Sequence, residues 1–154
     1  MPVLLEIPGR QPLALEFLLL DVNGTLSNRG ALIDGVAERL AALREHLEPR
    51  LLSADTFGTL AAIAERLSLP AKTAASAAEK LAILNDLGAD RCVAIGNGSN
   101  DRQLLAAAAL GIAIIGPEGC SADALAASDL ACKSIVDALD LLHEPRALAA
   151  TLRT

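Results

Sequence analysis

The chain has 154 residues, of which 53% are hydrophobic and 1% aromatic, with a formal net charge of −6. That length fits one domain, residues 1–154, around one core, and an acidic chain with so few rings has neither the basic footprint nor the stacking platform of a nucleic-acid binder. Three cysteines without C-x-x-C spacing indicate neither a disulfide frame nor a zinc site and fit a reducing cytoplasm, and neither a secretory leader nor an apolar run of roughly 18 residues is present to point to export or a membrane.

Residues 3–7 and 13–20 read as two strands joined by Pro8-Gly9-Arg10-Gln11-Pro12, an opening β-hairpin whose second arm ends at Asp21. A polar loop, Ser27 to Gly30, follows. Ile33, Val36, Leu40, Leu43 and Leu47 then recur at helical spacing as far as Pro49. Residues 51–55 look like a buried strand, residues 56–67 a helix, and residues 69–71 a short strand that Pro70 confines to a sheet edge. Ser76 with Glu79 three positions on is a capping box, opening a helix that carries Lys80 and ends near Gly88.

Further on, residues 91–96 form an apolar strand with the exit loop Asn97-Gly98-Ser99-Asn100-Asp101, and a helix covers residues 102–110. Residues 111–115 and 130–132 are strands, and residues 121–127 and 135–142 are helices. Pro145 sets off a small terminal helix. Strands alternating with helices predict a three-layer α/β/α Rossmann-like domain around a central parallel sheet. In such sheets ligands bind outside the carboxyl ends of the strands. Asp21, delivered there by Leu18-Leu19-Leu20 and followed by a Gly-Thr turn, is therefore a site candidate, and Asn23, Ser53, Asp55, Asn97 and Asp101 belong to loops at the same edge.

Asp21-Val22-Asn23-Gly24-Thr25-Leu26 resembles the first motif of the haloacid dehalogenase superfamily, D-x-D-G-T-L. Ser53 matches its second motif, Lys80 its third, and Gly96 to Asp101 its fourth, G-D-G-x-N-D, all in the required order. Ser53-Ala54-Asp55-Thr56 and Asn100-Asp101 look most like soluble proteins of the P-type-ATPase type. The resemblance implies a Mg2+-dependent phosphatase in which Asp21 carries an aspartyl phosphate. Asp21, Asn23, Ser53 and Lys80 are then the catalytic set. Asn23, Gly24, Ser53, Ala54 and Lys80 bind the phosphate, and Asp21, the Asn23 carbonyl, Asn97 and Asp101 hold the metal. Lys72 stands in reserve for Lys80. Asp55 reads equally as a helix cap or a catalytic group, and His46 and His143 as incidental.

Two positions depart from that pattern. Asn23 stands where many of these phosphatases have an acid that protonates the leaving oxygen, help worth about 10²- to 10⁴-fold. Asn97 replaces an acid at the metal. Slow turnover is expected on alkyl phosphates and faster turnover on aryl or acyl phosphates, with a weakened regulatory or phosphate-binding module as the alternative. Both asparagines precede glycine, a pairing prone to deamidation that would restore an acid. Only one helix separates Asp21 from the Ser53 strand, so no cap domain fits. The edge is open to a phosphorylated substrate unless a homo-oligomer partner covers it, as in the capless sugar-phosphate phosphatases that the chain also resembles. A receiver domain would need an acidic pair after the first strand, and a dinucleotide fingerprint a third glycine where Asp101 stands; neither is present.

Overall fold

The computed structural model describes residues 1–154. β1 (Val3–Leu5) and β2 (Leu13–Leu15) make the antiparallel opening hairpin, Val3 opposite Leu15 and Leu5 opposite Leu13. The apolar run 13–20, expected as one strand, divides at Glu16. Its amide donates to the Arg91 carbonyl and its carbonyl accepts from Glu48, so the chain leaves the hairpin there. β3 (Phe17–Asp21) then enters the central sheet. The loop expected after it folds into a minimal hairpin, β4 (Ser27–Asn28) and β5 (Ala31–Leu32).

The elements that follow are α1 (Val36–Leu43), β6 (Glu48–Ser53), α2 (Leu60–Leu67), β7 (Ala71–Thr73), α3 (Ala77–Leu87), β8 (Cys92–Gly96) and α4 (Arg102–Ala107). β9 (Leu110–Ile114), α5 (Ala122–Ala127), β10 (Leu130–Cys132), α6 (Ile135–Leu142) and α7 (Pro145–Leu152) complete the chain. β10, β9, β8, β3, β6 and β7 lie side by side in that order, every pair parallel. The central strand is thus the one that ends in Asp21. No helix is long and apolar enough to cross a membrane.

Successive residues of a strand face opposite sides of the sheet. Leu18 and Leu20 enter the larger apolar core, shared with residues of α1, α2, α6 and α7, whereas Leu19 enters a smaller one with Leu84 of α3 and Leu104 and Leu105 of α4. Burying each such leucine is worth about 1.5–3 kcal/mol. A one-residue slip of β3 would exchange its two faces, so this packing fixes where Asp21 emerges.

β6 begins three residues earlier than expected and contains Pro49. Leu51 donates its amide to the Pro70 carbonyl on the β7 side, so Pro49, two residues back, presents its nitrogen to that side before β7 begins. No ladder bond is lost there. α2 starts later than expected, at Leu60. Asp55 adopts φ 59° and its carboxylate reaches forward to accept from the Leu60 amide at 3.0 Å, which makes it a cap of that helix.

Candidate active site

Four loops leave the carboxyl edge of the sheet and meet around Asp21. Its side chain is 8% exposed, and its Oδ1 accepts a 2.9 Å hydrogen bond from Lys80 Nζ. Lys80 reaches it from the first turns of α3, where the Ser76 hydroxyl accepts from the Glu79 amide at 3.1 Å and fixes the start of the helix. The ammonium is fully buried and also donates to Asp101 Oδ1 at 2.7 Å. Lys72 lies apart from this cluster, on exposed edge strand β7.

Two carboxylates and one ammonium leave one net negative charge inside the protein, an arrangement that is costly to bury and that concentrates at functional sites. Burial first, then the charge of Asp101, pushes the Asp21 carboxyl up to about 7, against the opposing pull of Lys80 and Thr25. For Lys80, burial acts downward, but the two carboxylates outweigh it and hold the ammonium above its ordinary value. The lysine therefore stays charged across the physiological range.

Asp101 is itself fully buried, and both of its oxygens are engaged. Oδ1 takes Lys80, and Oδ2 accepts from the amides of Asn97 at 3.1 Å and Gly98 at 3.0 Å. Through these bonds it holds the lysine and the loop in place. Gly96 makes this possible, because a Cβ there would stand 2.5 Å from Asp101 Oδ2.

The Thr25 hydroxyl lies 3.2 Å from Asp21 Oδ2 and 3.3 Å from Asn97 Oδ1. It has one proton for two acceptors. One oxygen is thus left without a donor, as befits a place where a cation could take both. Asn97 is oriented by donating Nδ2 to the Gly119 carbonyl at 3.1 Å, while its own carbonyl accepts from the Ser121 amide at 2.8 Å. Its amide group lies against Gly24, where φ is 77° and a Cβ would meet Nδ2 at 2.3 Å. No three His, Cys, Asp or Glu side chains gather to hold a metal. Asp21 Oδ2 and Asn97 Oδ1, joined through Thr25, could hold one together with a main-chain carbonyl of the loop, one carboxylate with neutral oxygens. Mg2+ accepts such a set when waters and a phosphate complete it.

Ser53 is 1% exposed at the end of β6. Its Oγ accepts from Asn23 Nδ2 at 3.4 Å and from the Asp55 amide at 2.9 Å, and donates to no protein atom. The amides of Asn23 and Ala54 also lack a protein acceptor, whereas that of Gly24 is taken by the Ser27 carbonyl at 3.0 Å. Free donors for an anion are therefore the Ser53 hydroxyl and the amides of Asn23 and Ala54, while Gly24, without a side chain, permits close approach.

Deamidation would require the amide after each asparagine to attack its side chain. Those of Gly24 and Gly98 are held by the Ser27 carbonyl and by Asp101. The folded chain thereby restrains the aspartate-forming route open to the bare sequence.

The sequence assigns no role to Thr25, Gly96 or Gly119. The Gly-Thr pair after Asp21 was the available signal for Thr25; nothing local marks the Gly119 carbonyl. The largest cavities lie elsewhere, one of about 420 Å³ beside Leu4, Glu6, Arg146 and Arg153, and another of about 420 Å³ beside Phe17, His46 and Arg91. Concentrated buried charge, not cleft volume, identifies this site.

No family model matches the chain. It is 46% identical over 78 residues to the uncharacterized protein MJ0073 of Methanocaldococcus jannaschii, covering 84% of that protein and 48% of this chain. The uncharacterized protein MJ0072 of the same organism is 51% identical over 39 residues, 89% of its length and 25% of this chain. Among solved structures, the cobalt-bound deoxy-D-mannose-octulosonate 8-phosphate phosphatase of Haemophilus influenzae superposes with a TM-score of 0.70 at 14% identity, covering 91% of this chain and 94% of that one. The corresponding Moraxella catarrhalis enzyme, with magnesium, phosphate and KDO, gives 0.70 at 19% identity, covering 90% and 94%. A phospho-aspartyl intermediate analogue of phosphoserine phosphatase gives 0.71 at 13% identity, covering 82% and 98%.

Proposed function

We propose that this chain, which belongs to the same family as the Methanocaldococcus jannaschii protein MJ0073 and has the haloacid dehalogenase-like fold, is a divalent-metal-dependent phosphatase that forms an aspartyl phosphate on Asp21. One observation carries this reading: a buried carboxylate, a buried lysine at 2.9 Å and three uncommitted donors share one sheet edge.

A dianionic phosphoryl group approaching a carboxylate is repelled, by roughly 4 kcal/mol per charge pair at 4 Å and an effective dielectric of 20. Lys80 reduces that repulsion. The Ser53 hydroxyl and the amides of Asn23 and Ala54 donate to phosphoryl oxygens as charge builds on them. Asp21, Asn97 and the Asn23 carbonyl would hold the metal, which when bound supplies further charge neutralisation and orients the phosphoryl group. Asp101 acts through Lys80. The same edge, with no inserted domain between β3 and β6 or between β6 and α3, leaves the phosphorylated substrate free access.

Hydrolysis of p-nitrophenyl phosphate with Mg2+ tests the proposal. Wild type turns over, and turnover is lost in Asp21→Asn and in excess chelator. The neutral Asn23 and Asn97 favour a second reading, a phosphate-binding module without turnover. Phosphate binding by calorimetry with no hydrolysis of any phosphate ester or anhydride would establish that one instead.

A further inference from the structure

We infer that the substrate class of this site is the acyl phosphates, mixed anhydrides whose leaving group departs as a carboxylate, and that the aspartyl phosphate they leave on Asp21 persists. The inference rests on the phosphatase reading above and follows from the protons present around Asp21.

Each candidate acid at this edge is committed elsewhere. Asp101 is fully buried, with one oxygen on Lys80 and the other on two amides. Lys80 is fully buried between two carboxylates. Asp55 points its carboxylate at the Leu60 amide at the start of α2, and Glu118 accepts from the Arg29 amide at 2.9 Å. The Cys120 thiol faces the Ser121 carbonyl at 3.5 Å. His46 borders the cavity beside Phe17, at the opposite end of β3. What faces Ser53 two residues after Asp21 is the Asn23 amide, which neither gives nor takes a proton at neutral pH.

An alcohol leaves as an alkoxide, whose conjugate acid is about as weak as water, near 15.7. Without a proton donor that departure is slow. A carboxylate leaves as the anion of an acid of pKa near 4 and requires no proton. In the transfer step the bond from phosphorus to the acyl oxygen breaks, its electron pair stays on the departing carboxylate, and the bond from an Asp21 oxygen to phosphorus forms. Hydrolysis then needs water to attack phosphorus while its proton passes to solvent and the Asp21 oxygen regains its electron pair. No side chain is positioned to take that proton, so the second step is the slower.

The full chain with Mg2+ is assayed on acetyl phosphate, p-nitrophenyl phosphate and glycerol phosphate, and acid-quenched for intact mass. The value of kcat/KM, which reports transfer to Asp21 even where hydrolysis of the aspartyl phosphate limits turnover, is expected to fall steeply along that series, by at least about 10²-fold from first to last beyond the fall shown by Asn23→Asp. Wild type treated with acetyl phosphate should carry one phosphoryl group, released by hydroxylamine and mapped to the peptide containing Asp21. The label is read on wild type alone and does not depend on a variant folding; the leaving-group comparison uses Asn23→Asp that retains the wild-type circular dichroism spectrum. A fall no steeper than that of Asn23→Asp, or the absence of label during acetyl phosphate turnover, overturns the inference and leaves the phosphatase reading standing. Hydrolysis by Asp21→Asn at the wild-type rate, or no turnover of any of the three, overturns both.

Discussion

Lys80 sits closer to Asp101 than to Asp21, 2.7 Å against 2.9 Å, and Asp101 is the more deeply buried partner. The residue that fixes the lysine is therefore not the one expected to react. Replacing Asp101 by Asn leaves Lys80 paired with Asp21 but removes the charge from its shorter bond, and losing such a charge-assisted bond costs about 1.5–3 kcal/mol. Urea unfolding of Asp101→Asn should show a loss of that size. In Lys80→Met/Asp101→Asn the cost should fall below the sum of the single changes, because no unpaired charge of that pair is left behind. Strict additivity would mean that the two groups are not coupled.

The environment of Asp21 makes stability depend on pH. Its folded-state pKa is raised from 3.8 to about 7, so between those values the folded chain holds a proton that the unfolded chain has lost. The stabilising contribution is present below the unfolded value and is lost as pH rises through about 7. In metal-free protein, the difference in unfolding free energy between wild type and Asp21→Asn should shift against wild type from pH 4.5 to pH 8. A difference constant over that range would refute it. The raised pKa of Lys80 acts at the other end: its contribution holds through neutral pH and is lost only as pH climbs past the ordinary lysine value.

Gly24 and Gly96 test the close packing around the two polar groups by different routes. At Gly24 an added Cβ meets the Asn97 amide and φ is 77°, so Gly24→Ala adds backbone strain of about 1 kcal/mol or more and displaces Asn97. At Gly96 the clash is with the Asp101 carboxylate. Both alanine variants should lose at least about tenfold in p-nitrophenyl phosphate turnover while retaining the wild-type circular dichroism spectrum. Wild-type turnover in either would show that these groups can move without consequence.

The legible parts of this site share a property: each is announced by residues next to it in sequence. Leu18 to Leu20 announce the strand that ends in Asp21, and Ser76 with Glu79 announces the helix that carries Lys80. Contacts between loops left no such mark. Thr25 meets Asn97 across 72 positions, and the Gly119 carbonyl that orients Asn97 comes from a loop with no polar motif. Residue type alone likewise does not reveal that Asp101 binds Lys80 and two loop amides. The break at Glu16 and the strand through Pro49 are hidden for the same reason, since what surrounds their backbone comes from distant parts of the chain.

Asn97 is the proposed metal ligand whose charge a single substitution can change. Its Oδ1 shares the Thr25 proton with Asp21 Oδ2, and its Nδ2 donates to the Gly119 carbonyl. In Asn97→Asp a second carboxylate joins Asp21 on the cation-facing side, but its other oxygen is set against that carbonyl and the donor bond is lost. The metal-free variant should accordingly be less stable than wild type, by about 0.5–1.5 kcal/mol for the hydrogen bond lost at this exposed carbonyl. With a cation bound the balance reverses, because a carboxylate replaces a neutral oxygen beside a divalent charge. Calorimetry with Mg2+ should show affinity tightened by about tenfold or more, equivalent to about 1.4 kcal/mol. At pH 7 the wild type should release protons on binding, since the cation favours the ionised form of Asp21. Unchanged affinity in Asn97→Asp, with stability also unchanged, would place the cation away from this asparagine.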